Sequence, residues 1–129
     1  MVNIAILGFG TVGSGVAEVL TRNGGLIDGR VNNQVRLKYI MRARDIFEGP
    51  YKDLFVKDFS IIERDPEVSI VVETIGGVGA ALDYTTRALK AGKSVVTANK
   101  ELVAAHGYEL LQLAKEHGVS YLFEASVGG

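Results

Sequence analysis

An apolar run from Val2 to Leu7 leads without a gap into Gly8-Phe9-Gly10-Thr11-Val12-Gly13, and a helix-like segment, Ser14 to Leu20, follows at once. No other stretch of the chain restricts the fold so narrowly. Val2, Ile4, Ala5, Ile6 and Leu7 have the character of a strand buried on both faces of a parallel sheet. Each glycine then has its own task. Gly8 permits a tight turn, Gly10 lets the backbone approach a pyrophosphate, and Gly13 lets the helix close onto the strand. Amide groups exposed at the helix start favour negative charge. A glycine pattern alone could be an ordinary flexible loop. Here Val16, Val19 and Leu20 keep helical spacing, so strand, turn and helix occur in the order that a dinucleotide site requires.

The rest of the chain continues the alternation. Asn23-Gly24-Gly25 is expected to stop the first helix, with a surface connection from Ile27 to Asn33. Val35 to Met41 reads as a second strand, Val68 to Ile75 as a third closing on Gly76-Gly77, and Ser94 to Thr97 as a fourth. Between the last two lies a helix, Ala80 to Ala91, with Leu82, Thr86 and Leu89 facing one way and Gly92 as its stop. Asn99 is placed to cap a short helix that Gly107 breaks. Tyr108 to His117 is then the last helix, stopped by Gly118, and Val119 to Ala125 a fifth strand. Glu48 to Phe59 is the least legible segment, with Gly49-Pro50 opening one turn of helix before an excursion towards the sheet. Strands alternating with helices call for an α/β fold, a parallel doubly wound sheet with right-handed crossovers, formed by residues 1–129 as a single domain.

With 129 residues, 47% of them hydrophobic, the chain can bury a core without a disulfide or metal staple. Met1 to Leu7 lacks a basic leader and the apolar length of a signal segment, so no membrane partner is expected and a cytoplasmic location fits. Fourteen basic against fifteen acidic residues give a net charge of −1, which argues against a nucleic-acid partner and for a small molecule. The absence of cysteine removes disulfides, thiolate zinc sites and thiol nucleophiles from consideration.

In open α/β sheets ligands bind beyond the carboxyl ends of the strands, which places Thr74, Ile75, Gly76 and Gly77 beside the cofactor. The second strand ends in Arg42-Ala43-Arg44-Asp45, where an acidic residue would hold a ribose hydroxyl. Arg42 and Arg44 suit a 2′-phosphate instead, because guanidinium grips phosphate oxygens with paired hydrogen bonds. NADP is therefore preferred over NAD, the alternative being solvated arginines with Asp45 on the ribose. Lys100 follows the fourth strand's tip, where a cation opposes the helix dipole and so needs some other reason to be there. His117 and His106 read as helix-end residues. Glu73 and Glu124 lie in or beside apolar strands near the ligand edge, and a buried carboxylate needs a partner: backbone amides, a lysine or a metal ion.

Three passages, ILGFGTVGSGV from Ile6 to Val16, VVTANKELVAAHG from Val95 to Gly107 and FEASVGG from Phe123 to Gly129, closely resemble the amino-terminal, nucleotide-binding part of homoserine dehydrogenase. The first is shared by many dehydrogenases; the other two are more particular to this family. The resemblance implies a Rossmann-type fold and reversible, NADP- or NAD-dependent hydride transfer between homoserine and aspartate semialdehyde. It also implies that Phe9, Thr11 and Val12 line the pyrophosphate turn with Gly8, Gly10 and Gly13, that Thr74 to Gly77 and Thr97 flank the nicotinamide, and that Asn99 and Lys100 meet the cofactor, Lys100 being the catalytic lysine. Similar enzymes hold a monovalent, sodium-like cation in the FEASVGG passage, which extends here to Glu124, Val127 and Gly129. Members of the family continue into a substrate domain that this sequence lacks, and the full-length enzyme is expected to be a homodimer. The chain is accordingly expected to bind NADP(H) without turning over substrate by itself. Two other readings remain: a non-catalytic dinucleotide-sensing module, and the cofactor domain of another aldehyde or amino-acid dehydrogenase.

Overall fold

The computed structural model describes residues 2–26, 35–42 and 51–123, with backbone alone for 21–26. Six parallel strands form one sheet: β1 (Val2–Leu7), β2 (Val35–Met41), β3 (Phe55–Val56), β4 (Val68–Glu73), β5 (Ser94–Thr97) and β6 (Tyr121–Phe123), in the order β3-β2-β1-β4-β5-β6. The helices are α1 (Thr11–Leu26), α2 (Phe59–Glu63), α3 (Gly79–Lys90) and α4 (Lys100–Glu116). The chain leaves β1 in one direction through β2 and β3, and in the other through β4, β5 and β6. The strand order therefore reverses beside β1, the place where such sheets receive a ligand.

Alternation along the strands supplies both faces of the sheet. Ala5, Leu7, Val71, Val95 and Tyr121 pack with Phe59 and Ile62 of α2, Ala88 and Leu89 of α3, and Leu102, Leu110 and Ala114 of α4. Ile4, Ile6, Leu37, Ile40 and Val72 turn the other way, against Ala17 of α1. Ala5, Ile6 and Leu7 are wholly buried, as a central strand covered on both faces must be. The expected doubly wound α/β architecture is present.

Several expected boundaries move. Asn23-Gly24-Gly25 forms the end of α1 instead of following it: glycine weakens a helix without forbidding one, and the last turn is where the weakening matters least. Gly107 does not break a helix either, because α4 runs through it from Lys100 to Glu116. Lys100 to Glu116 holds one continuous buried stripe, Leu102, Leu110 and Ala114, and burial of that stripe outweighs a local cost of about 1 kcal/mol. The third expected strand stops at Glu73, not Ile75, since the Glu73 side chain itself takes the Ile75 N–H. The inner face of α3 is Ala81, Thr85, Ala88 and Leu89, with Leu82 and Thr86 only half buried. Sequence reading missed α2, whose Asp58 cap accepts the Ser60 N–H, and resolved β3 only as an excursion towards the sheet. His106 lies inside α4 and pairs with Glu109, whereas His117 is the helix-end residue expected.

Candidate cofactor site

Parallel strands in register bring their ends to one edge of the sheet. Met41, Leu7, Glu73, Thr97 and Phe123 form a continuous cross-strand row. The residues just beyond this row therefore share the ligand edge: Arg42 after β2, Gly8 after β1, Thr74 after β4, and Ala98 with Asn99 after β5. The candidates picked from sequence on these four strands thus converge. Arg44, Glu124, Val127 and Gly129 lie outside the described residues.

Gly8 turns with a φ of 93°, a left-handed conformation that only glycine adopts freely. A Cβ on Gly13 would collide with the Gly8 carbonyl oxygen and lie 2.9 Å from Thr74 Oγ1, so helix and strand can meet only because no side chain intervenes. A Cβ on Gly10 would meet nothing within 4 Å, which leaves its backbone open to a ligand. The first turn of α1 has no acidic residue, so its free amides keep their partial positive charge. The Gly8 N–H donates to Met41 O (2.9 Å), the Ser14 N–H to Gly10 O (2.9 Å), and the Thr74 hydroxyl to Leu7 O (2.8 Å). Thr11 opens the helix. Phe9 leans the other way, edge-on to Phe55 at 5.0 Å between ring centres, and the Arg42 guanidinium lies 6.0 Å from the Phe9 ring centre. That cation–π contact sets the guanidinium beside Phe9 at the tip of β2.

On the other side of β1 a cavity of about 190 Å³ is lined by Val12, Thr74, Gly76, Ala98 and Asn99. It is smaller than the ~300–1,000 Å³ of pockets for drug-sized ligands, and so has room for one ring of a dinucleotide and not the whole. Gly76 and Gly77 are both left-handed, with φ of 85° and 70°. Ile75 packs on the core behind them. Thr97 is wholly buried and does not line the cavity; its hydroxyl oxygen accepts the N–H of Asn99, which does. Asn99 caps α4, accepting the Leu102 N–H at 3.0 Å, and puts Lys100 at the first helical position, exposed and with no partner among the described residues.

Glu73, which the sequence places near the ligand edge, has its partner left open there between backbone amides, a lysine and a metal ion. It is wholly buried, and its partners are backbone amides and neutral side chains: the Ile75 N–H (2.8 Å), the Gly76 N–H (3.4 Å), the Thr97 hydroxyl (2.6 Å) and the Asn99 amide (3.5 Å). Burial, and then the charge of Glu73, push the nearby Tyr121 phenol up to about 12 against an opposing effect of Thr97, and among the described residues that buried hydroxyl makes no hydrogen bond of good geometry. No group of His, Cys, Asp and Glu among the described residues could hold a metal ion, and no described helix is long and apolar enough to cross a membrane.

A glycine turn at the strand-order reversal, an open helix start and a ring-sized cavity beside it define a dinucleotide-binding domain of the Rossmann class. Residues 8–124 match the family described as homoserine dehydrogenase, NAD binding domain, and the chain belongs to that family. It is 43% identical to a homoserine dehydrogenase of Lactococcus lactis and 46% identical to one of Corynebacterium glutamicum, in each case over 99% of this chain and 31% and 29% of the relative. A crystal structure of Staphylococcus aureus homoserine dehydrogenase superposes with a TM-score of 0.85 at 38% identity, over 97% of this chain and 32% of that one. The chain thus spans about 30% of the length of these relatives. It is a nicotinamide-dinucleotide-binding domain.

Proposed function

We propose that this domain serves a homoserine dehydrogenase, binds NADP(H) in preference to NAD(H), and carries the lysine, Lys100, that meets substrate in the complete enzyme. The observation that supports it most is the close packing of Gly13 on Gly8 and Thr74, which opens the amides of α1 towards a pyrophosphate beside the cavity. Around that turn we assign Gly8, Phe9, Gly10, Thr11, Val12 and Gly13 to the phosphates. Arg42 and Arg44 take the 2′-phosphate, and Thr74 to Gly77, Thr97 and Asn99 the nicotinamide half. Nicotinamide supplies the hydride chemistry when bound; this chain's own residues orient the ring and exclude water from it. Lys100 suits a role towards a substrate oxygen, because it is exposed at the rim beside the Asn99 wall and free of intramolecular partners among the described residues.

The substrate pair is homoserine and aspartate semialdehyde, in a cytoplasmic enzyme whose complete form is a homodimer. Residues 1–129 form one domain that binds cofactor without turnover alone. Glu124, Val127 and Gly129 are proposed to hold a sodium-like cation, on the family resemblance of FEASVGG. The deciding experiment is fluorescence titration of the chain with NADPH and NADH, alongside a steady-state assay with homoserine and NADP. Saturable binding, tighter for NADPH, without turnover is expected. Failure to bind either cofactor removes the cofactor reading, and appreciable turnover refutes the need for further sequence.

A further inference from the structure

We propose that Glu73 is a positioning residue for the nicotinamide half of the dinucleotide: its buried carboxylate fixes the Ile75–Gly77 turn and the start of α4 as one rigid unit. This rests on the dinucleotide reading above and assigns to one side chain the order of the cavity wall. A buried carboxylate is costly unless its oxygens are satisfied, and an apolar side chain would fill the same space without that cost. No cation pairs with Glu73 among the described residues; the ion pairs of Lys38, Arg87 and His106 lie elsewhere. Its compensation is a set of donors.

The directions of those bonds are fixed. The Asn99 N–H donates to Thr97 Oγ1 (3.0 Å), so the Thr97 hydroxyl hydrogen is free to donate to Glu73 Oε1 (2.6 Å). On the second oxygen, Glu73 Oε2 accepts the Ile75 N–H (2.8 Å). Asn99 then closes the loop, donating its side-chain amide to Gly77 O (2.6 Å) while its oxygen caps α4. Gly76 and Gly77 are left-handed, and a Cβ added to either would meet nothing within 4 Å, so no side-chain packing of their own fixes the turn. Thr74, Gly76 and Asn99, which wall the cavity, sit in or next to the segments this carboxylate ties together.

The phosphate side has hydrogen bonds of its own, with Thr74 as the residue the two sides share. Its bonds, from Gly8 to Met41, Ser14 to Gly10 and Thr74 to Leu7, involve no atom of Glu73. Loss of the carboxylate should therefore weaken one half of the site and spare the other. A merely structural residue would affect both.

Glu73→Gln keeps the size of the side chain and removes its charge: with the amide nitrogen towards Ile75 it opposes a backbone donor that cannot turn, and with the nitrogen towards Thr97 it reverses that bond, so the Thr97 hydroxyl accepts and its hydrogen must find another partner. The test titrates the chain and this variant with NADPH and with 2′-phospho-ADP-ribose, which lacks only the nicotinamide, while circular dichroism checks the fold. The expected result is a roughly tenfold rise in Kd for NADPH and a change within about twofold for the analogue. Equal changes for the two ligands, or no change for either, would overturn the proposal. Failure of the parent chain to bind either ligand would instead overturn the dinucleotide reading. Should Glu73→Gln not fold, Asn99→Ser, which keeps a capping oxygen and deletes the bond to Gly77, is read in the same way, and Thr97→Ser should restore what Thr97→Val loses.

Discussion

Gly13 in the first turn of α1 lies against the carbonyl of Gly8 at the end of β1, with Thr74 Oγ1 completing the contact, so that a single methyl group has no place between helix and strand. Gly13→Ala should lower stability by roughly 1–3 kcal/mol through overpacking and weaken NADPH binding at least tenfold, because the amides of α1 would be pushed off line. Gly15, in the same helix with open space around it, is the control. Gly15→Ala should raise stability by about 0.5–1 kcal/mol and leave affinity alone. Urea unfolding and cofactor titration of the two variants test both statements.

Arg42 is held over Phe9 at the tip of β2. If its guanidinium receives a 2′-phosphate, Arg42→Ala should raise the Kd for NADPH about tenfold and that for NADH less than twofold, the difference being the charge-assisted pair. Parallel changes for both cofactors would assign Arg42 to packing on Phe9 alone.

Tyr121 buries a hydroxyl that makes no hydrogen bond of good geometry among the described residues. Removal of an unsatisfied polar group relieves its desolvation cost, so Tyr121→Phe should be stabilising by about 1 kcal/mol. Thermal melts of the two proteins decide it; a drop in stability would mean that the hydroxyl is satisfied, by Thr97 or by an ordered water.

At the opposite edge of the sheet, Asp65 accepts from Lys38 (2.7 Å), from the Tyr39 hydroxyl (2.7 Å) and from the Glu67 N–H (2.9 Å). The Lys38 ammonium, then the tyrosine, hold its carboxyl down to about 2. The unfolded value is about 3.9, so this stabilisation is complete above pH ~4 and fades as the pH falls towards 2. Asp65→Asn should melt a few degrees lower than the parent at neutral pH, and the two melting curves should converge near pH 2. A gap that stays constant with pH would refute the assignment.

The glycine turn, β1, β5 and the cofactor edge were legible because each rests on neighbours in sequence: an apolar run, a spacing of glycines, a cap before a helix. Gly107 was misread for the opposite reason. Whether a glycine ends a helix depends on the stripe that the helix buries, and Leu102, Leu110 and Ala114 meet their partners only in the folded chain. The exposed or buried character of Thr86 and Leu82 on α3 likewise follows from where α4 and the sheet lie.

By itself the sequence determined a strand, a phosphate-ready turn and a helix, and with them the class of ligand, since tight turns and helix starts are local properties of the backbone. Only the tertiary structure decided what Glu73 does. Its donors come from Thr97 and Asn99, more than twenty residues away, as well as from its own turn. Burial is what turns that carboxylate from a solvated charge into a group that must be satisfied, and burial is a property of the assembled sheet.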